Sequence, residues 1–138
     1  MATIKYHVPA TPATVASDYG ILLPPKHIRG LLGTYCPSCS ARLLGLYREP
    51  LQNRYRFQWD FSDAFPILQE PLDHILPLET DRLAHVCRAI ALRWPLRKAR
   101  SWEQTFAPLI GAVCELHFEP KPGVIPLLRV TRIERVLP

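Results

Sequence analysis

The chain has 138 residues, 48% of them hydrophobic, a size and composition suited to one domain (1–138) that buries its own core without metals or disulfides. Seventeen Lys and Arg against twelve Asp and Glu give a net charge of +5 and a pI near 9.3, a balance compatible with phosphate polymers. Neither a long apolar run nor a signal-peptide pattern occurs, which argues against a membrane span or secretion and gives a cytoplasmic expectation.

The charge is segregated along the chain. Six acidic residues and no Lys or Arg fall between Asp60 and Asp81, whereas Arg82, Arg88, Arg93, Arg97, Lys98 and Arg100 follow without a carboxylate among them. Arg outnumbers Lys thirteen to four, and guanidinium suits bidentate phosphate contact and stacking on bases, although a GC-rich genome produces the same bias. Fifteen prolines, about twice the usual share, require short elements.

Residues 3–8 alternate as Ile4, Tyr6 and Val8 against Lys5 and His7, which predicts a strand ended by Pro9. Pro25 can open a short helix through His27, Ile28 and Leu31 that closes at Gly33. Residues 41–48 and 54–61 flank a polar Pro50–Asn53 connection and predict a hairpin. In its second strand Tyr55, Phe57, Trp59 and Phe61 share one face, and Arg54, Arg56, Gln58 and Asp60 the other.

The acidic, proline-broken stretch that follows reads as loop. Thr80 can cap an amphipathic helix over about 80–94, with Leu83, Val86, Cys87, Ile90 and Trp94 on one face and Pro95 as its stop. Ser101 and Gln104 have capping-box spacing, predicting a short helix from Trp102 to Ala107. Ala112, Cys114, Leu116 and Phe118 then share a strand face, a turn falls at 120–123, and 126–136 returns with Leu128, Val130 and Val136 alternating. In this last strand the spacing puts Arg129 and Arg135 on one face and Arg132 on the other. The expected class is mainly β (α+β): a small five-stranded barrel with one helix between two β-hairpins.

The tail from Phe106 through Gly123, Phe-Ala-Pro-Leu-Ile-Gly-Ala-Val-Cys-Glu-Leu-His-Phe-Glu-Pro-Lys-Pro-Gly, followed by Leu-Leu-Arg-Val-Thr-Arg-Ile at 127–133, resembles the end of small phage and mobile-element proteins related to single-stranded-DNA-binding OB-fold proteins. The hairpin at 41–61, with its Trp-Asp-Phe end, is similar to the strand pair before the helix in that group, so the likeness spans roughly half of the chain. The Cys36–Cys39 pair and the proline-rich N-terminal third depart from the pattern. The resemblance implies an OB-like barrel that binds single strands through aromatic and basic side chains and carries no catalytic residue.

Single-strand binders combine a cationic groove with aromatic surfaces, because every nucleotide has a charge and every base a π-face. Tyr47, Arg48, Arg54, Tyr55 and Arg56 supply both on the first hairpin, with Phe57, Trp59 and Phe61 assigned to the core. Arg93, Trp94, Arg97, Lys98, Arg100 and Trp102 interleave four cations with two indoles, and could clamp a backbone or simply form a solvated helix end. The Cys36–Cys39 spacing is that of a zinc knuckle, needing completion from His27, from His85 with Cys87, or from Cys114 with His117; no other cofactor is expected.

No hydrolase elbow, zincin motif, phosphate loop or dinucleotide fingerprint is present, so an enzyme is not expected. The leading expectation is non-specific binding of single-stranded DNA. The alternatives are a protein-interaction or inhibitor module docking a larger partner, and a metal-dependent nuclease built on Asp60, Asp63, Asp73 and His74. A homodimer through exposed edge strands is the oligomer the composition allows.

Overall fold

The computed structural model describes residues 19–78, 80–121 and 127–137. Within them lie strands β1 (Ile21–Leu23), β2 (Ser38–Glu49), β3 (Arg54–Asp60), β4 (Leu72–Pro77), β5 (Val113–Lys121) and β6 (Leu127–Arg135), and helices α1 (Thr80–Ile90) and α2 (Trp102–Phe106). The strands form one antiparallel sheet in the order β1-β4-β3-β2-β5-β6, which closes on itself because β1 pairs with both β4 and β6. The strand expected at 3–8, the turn residues Pro122 and Gly123, and the Thr80 side chain lie outside the described residues.

Alternation explains the hairpin of β2 and β3. Leu43 pairs with Trp59, Leu46 with Phe57 and Glu49 with Arg54, and the connection is a 3-10 turn at Pro50–Gln52 followed by Asn53 in the left-handed region. Between Leu43 and Gly45 the register shifts by one residue. This bulge reverses the inward and outward alternation beyond it, so Leu43 and Leu46 both face the core while Tyr47 faces out. Gly45 leaves room for the Tyr47 ring, whose hydroxyl would lie 2.5 Å from a Cβ at that position.

Among the described residues four of the five expected strands are joined by two absent from the sequence reading, because those two have weak signals. β1 is three residues long, and β4 carries a histidine at an inward position that breaks its apolar alternation of Leu72 and Leu76. The acidic stretch is therefore not all loop. Its strand β4 lies between β3 and β1, where Leu72, His74 and Leu76 are buried. Pro25 does open a 3-10 turn, Lys26–Ile28, with Ile28 and Leu32 buried above Gly33.

Leu83, Val86, Cys87 and Ile90 bury the inner face of α1 as their spacing predicts. The helix ends at Ile90, four residues before the expected Trp94, with the Ala91 amide still donating to the Cys87 carbonyl. Proline at 95 disfavours helical backbone at Trp94, and the chain leaves the helix one turn earlier. Arg135 Nη1 donates to the Ile90 carbonyl at 3.1 Å, satisfying the helix end with a cation.

In the second hairpin Ala112, Cys114, Leu116 and Phe118 are buried as expected. A shift between His117 and Phe118 corrects the return strand. Leu128 and Val130 face inward, then Ile133 and Arg135 do, while Val136 is 44% exposed. Arg129 and Arg132 thus share the outer face and Arg135 does not, because the bulge falls between them. The ring gives every described strand a neighbour on both sides. Among the described residues no helix is long and apolar enough to cross a membrane.

Candidate functional site

The aromatic face of β3 is core. Phe57, Trp59 and Phe61 are fully buried, and Tyr55 is buried to all but 6%, contrary to its expected exposure. Tyr55 sits at the inward parity of β3, and the Trp102 ring of α2 stacks parallel to it with centroids 5.7 Å apart. Trp102 Nε1 donates to the Leu46 carbonyl at 2.9 Å, which fixes the indole against the bulged strand. Ser101 caps α2 as its spacing predicts, accepting from the Gln104 amide.

On the outer face, Glu49 holds the two hairpin arginines. Arg54 Nε donates to one carboxylate oxygen at 2.7 Å and Arg56 Nε to the other at 3.0 Å, while Arg56 Nη1 reaches Asp73 at 3.3 Å. The Arg56 guanidinium also lies 4.5 Å from the centroid of the Tyr47 ring. The Arg54 hydrogen bond, reinforced by Arg56, holds the Glu49 carboxyl below the usual carboxylate range. Arg54 and Arg56 are therefore neutralised in part by Glu49 and Asp73, carboxylates absent from the expected site. The Glu49 partnership was readable, since a four-residue connection from Pro50 to Asn53 sets Glu49 opposite Arg54.

Arg48 is different. It lies opposite Tyr55 near the end of β2, is exposed, and lines a cleft of about 300 Å³ with Tyr47, Trp102 and Glu103. Arg93, Arg97, Lys98 and Arg100 are exposed on the irregular segment between α1 and α2. None of these five cations is in an ion pair with a described residue. Arg93 and Arg97 line a second groove of about 380 Å³, whose apolar wall includes Leu92, Leu96, Pro108 and Leu109.

The two indoles of the 93–102 segment serve different places. Trp94 packs on the core and lines a smaller cavity with Asp81, His85 and Arg88 of α1, whereas Trp102 covers Tyr55. The early end of α1 turns Trp94 back toward the helix, away from the place that Trp102 takes.

The remaining titratable constellations disperse. Cys39 points into the core opposite Leu116, where burial first and the Glu115 charge second push its thiol up to about 11. Burial also raises Cys114 to about 11 and Cys87 to about 12. His27 is exposed on the 3-10 turn, and His117 pairs with Glu134 on the outer face. The zinc knuckle is thus not completed: among the described residues no group of three or more His, Cys, Asp or Glu side chains is placed to hold a metal.

The carboxylates considered for a nuclease separate for a similar reason. Asp73 and His74 are adjacent on β4, so they face opposite sides, Asp73 out to Arg56 and His74 into the core. Asp60 accepts from the Ser62 amide, and Asp63 lies 3.8 Å from Arg42. His74 is fully buried against Phe57 and accepts at Nδ1 from Trp59 Nε1 at 3.1 Å. An indole nitrogen only donates, so the imidazole proton sits on Nε2, where the Tyr19 carbonyl accepts it. Burial lowers the His74 pKa to about 4 and keeps the ring neutral.

In comparisons with known proteins, no family model, no curated protein and no solved structure matches the chain.

Proposed function

We propose that this chain is an OB-like barrel that binds single-stranded nucleic acid, chiefly DNA, without catalysing a reaction on it. The succession β2-β3-β4, α1, β5-β6 supports the fold reading: three meander strands, a helix and a returning pair, with β2 bulged and paired to both β3 and β5. In this view β1 is an added strand that bridges β4 and β6.

The observation that carries the functional reading is the cleft of Tyr47, Arg48 and Trp102, followed along the chain by four cations without ion-pair partners among the described residues. The exposed Tyr47 ring and the half-buried Trp102 supply sequence-tolerant stacking, and guanidinium and ammonium groups supply phosphate contacts. Arg54 and Arg56, held by Glu49, contribute less than their position on the hairpin suggests.

Fluorescence anisotropy of a labelled oligo-dT, with a duplex of equal length alongside, tests this reading. The expected result is salt-sensitive binding to the single strand, weakened at least about tenfold by Tyr47→Ala combined with Arg48→Ala. Absence of binding at low salt defeats it. One feature favours docking of a protein instead: the apolar groove at Leu96 and Leu109, with Leu92 59% exposed beside it. Retention of a cellular protein by a chain that ignores oligonucleotides is the outcome that reading requires.

A further inference from the structure

The cleft beside the end of β2 holds more than a cation and aromatic walls. Its fourth lining residue is Glu103, at the second position of α2, and a carboxylate is a misplaced group in a surface that recognises phosphate alone. Glu103 and Arg48 line the same space, yet neither is in an ion pair with a described residue. A cleft of about 300 Å³ lined by both charges has room for a planar group.

We infer that this cleft accepts one unpaired base and selects for hydrogen-bond donors on its Watson–Crick edge, guanine first and thymine last. The inference rests on the single-strand reading above and adds a preference to it. A carboxylate only accepts hydrogen bonds, and its two oxygens match the adjacent N1–H and N2–H donors of guanine. Cytosine and adenine offer one amino group each. Thymine offers a single N3–H between two carbonyl oxygens, which repel the carboxylate. Tyr47 and Trp102 form the aromatic walls, and Arg48 is the cation left to meet the backbone phosphate.

The Trp102 wall is held in place by the same contacts that anchor α2. Its Nε1 donates to the Leu46 carbonyl, Tyr55 stacks on it, and Phe106 packs at 4.4 Å between centroids. A wall fixed by the strand and by the core positions Glu103 beside it without further ordering on binding. This is the condition under which a single hydrogen-bonding group discriminates between bases.

The test compares oligonucleotides of about eight residues, a length within the span of one such fold, by anisotropy at fixed salt: oligo-dT, and oligo-dT carrying two dG or two deoxyinosine residues. The expected result is an affinity about fivefold higher for the dG strand than for oligo-dT, with deoxyinosine between them because it lacks the N2 amino group. Glu103→Gln, an exposed change on α2, is expected to bring the dG and dT strands within about twofold of each other, by weakening the dG strand and by relieving the repulsion of the thymine carbonyls in oligo-dT. Equal, salt-sensitive binding of all three strands overturns the base preference and leaves strand binding standing. A dG preference that survives Glu103→Gln overturns the assignment to this residue. If no oligonucleotide binds, the preference and the functional reading fall together.

Discussion

At the scale of single residues, His74 sets a pH dependence that the exposed charges do not. Its neutral ring is fixed between Trp59 and the Tyr19 carbonyl, and burial depresses its pKa from the ordinary 6.5 to about 4. The unfolded chain therefore takes up this proton first. The stabilisation is fully present above about pH 6.5 and is lost as pH falls toward about 4, a change of about 3 kcal/mol if no other group compensates. Urea unfolding between pH 7.5 and 4.5 should show this slope in the native protein and lose it in His74→Phe. Parallel pH profiles for the two proteins would remove His74 from the account.

The same histidine shows how local geometry depends on a neighbouring element. Gly20, at φ 94°, brings the chain against β4 so closely that a Cβ there would lie 2.5 Å from the Ile75 carbonyl oxygen and 2.9 Å from His74 Nε2. Glycine adopts that backbone without steric cost, and the Gly20 carbonyl then accepts from the Val130 amide. One glycine thus lets β1 sit between β4 and β6 and seals His74 from water.

Among the elements, the β2–β3 hairpin couples stability to binding through Glu49. Its carboxylate joins Arg54 and Arg56 on adjacent outward positions of β3, with Asp73 of β4 at the far side of Arg56. Surface pairs of this kind add little to stability, because water screens them and long side chains lose freedom in making them. Glu49→Gln should therefore leave the unfolding midpoint nearly unchanged. It should also tighten binding of oligo-dT by about two- to fivefold, since a negative charge leaves the face and two guanidinium groups are released toward phosphate. Anisotropy titration measures the second effect. Unchanged affinity would mean that the strand does not cross this part of the hairpin.

The short helix α2 and the bulge at Gly45 act together on the neighbouring cleft. The bulge turns Tyr47 outward, and α2 brings Trp102 and Glu103 beside it. Each device moves a side chain across a face or between elements that are 50 or more residues apart in sequence, as the Trp102 to Leu46 hydrogen bond illustrates.

For the whole molecule, the cations without an ion pair among the described residues predict how binding responds to salt. If three to five of Arg48, Arg93, Arg97, Lys98 and Arg100 contact phosphate, affinity for a single strand should fall roughly ten- to a hundredfold between about 50 and about 200 mM salt. A titration series of oligo-dT over that range measures the slope. A flat response would exclude a binding mode based on these cations.

The closed ring also defines what the sequence by itself determined. Alternation alone fixed the two hairpins and the buried sets Phe57, Trp59, Phe61 and Cys114, Leu116, Phe118, because side chains on a half-buried strand must divide by parity. Helical spacing fixed the inner face of α1, and a capping serine the start of α2. Tertiary structure decided the rest. Whether β4 was strand or loop depended on a partner for the buried His74, and the outward turn of Tyr47 and inward turn of Arg135 depended on bulges that shift register by one residue. Which cations lack an ion pair among the described residues depended on carboxylates delivered by other strands, as Asp73 is to Arg56. Periodicity is a property of a segment and can be read within it, whereas register, pairing and the filling of a cleft are relations between distant segments that exist only once the sheet has closed.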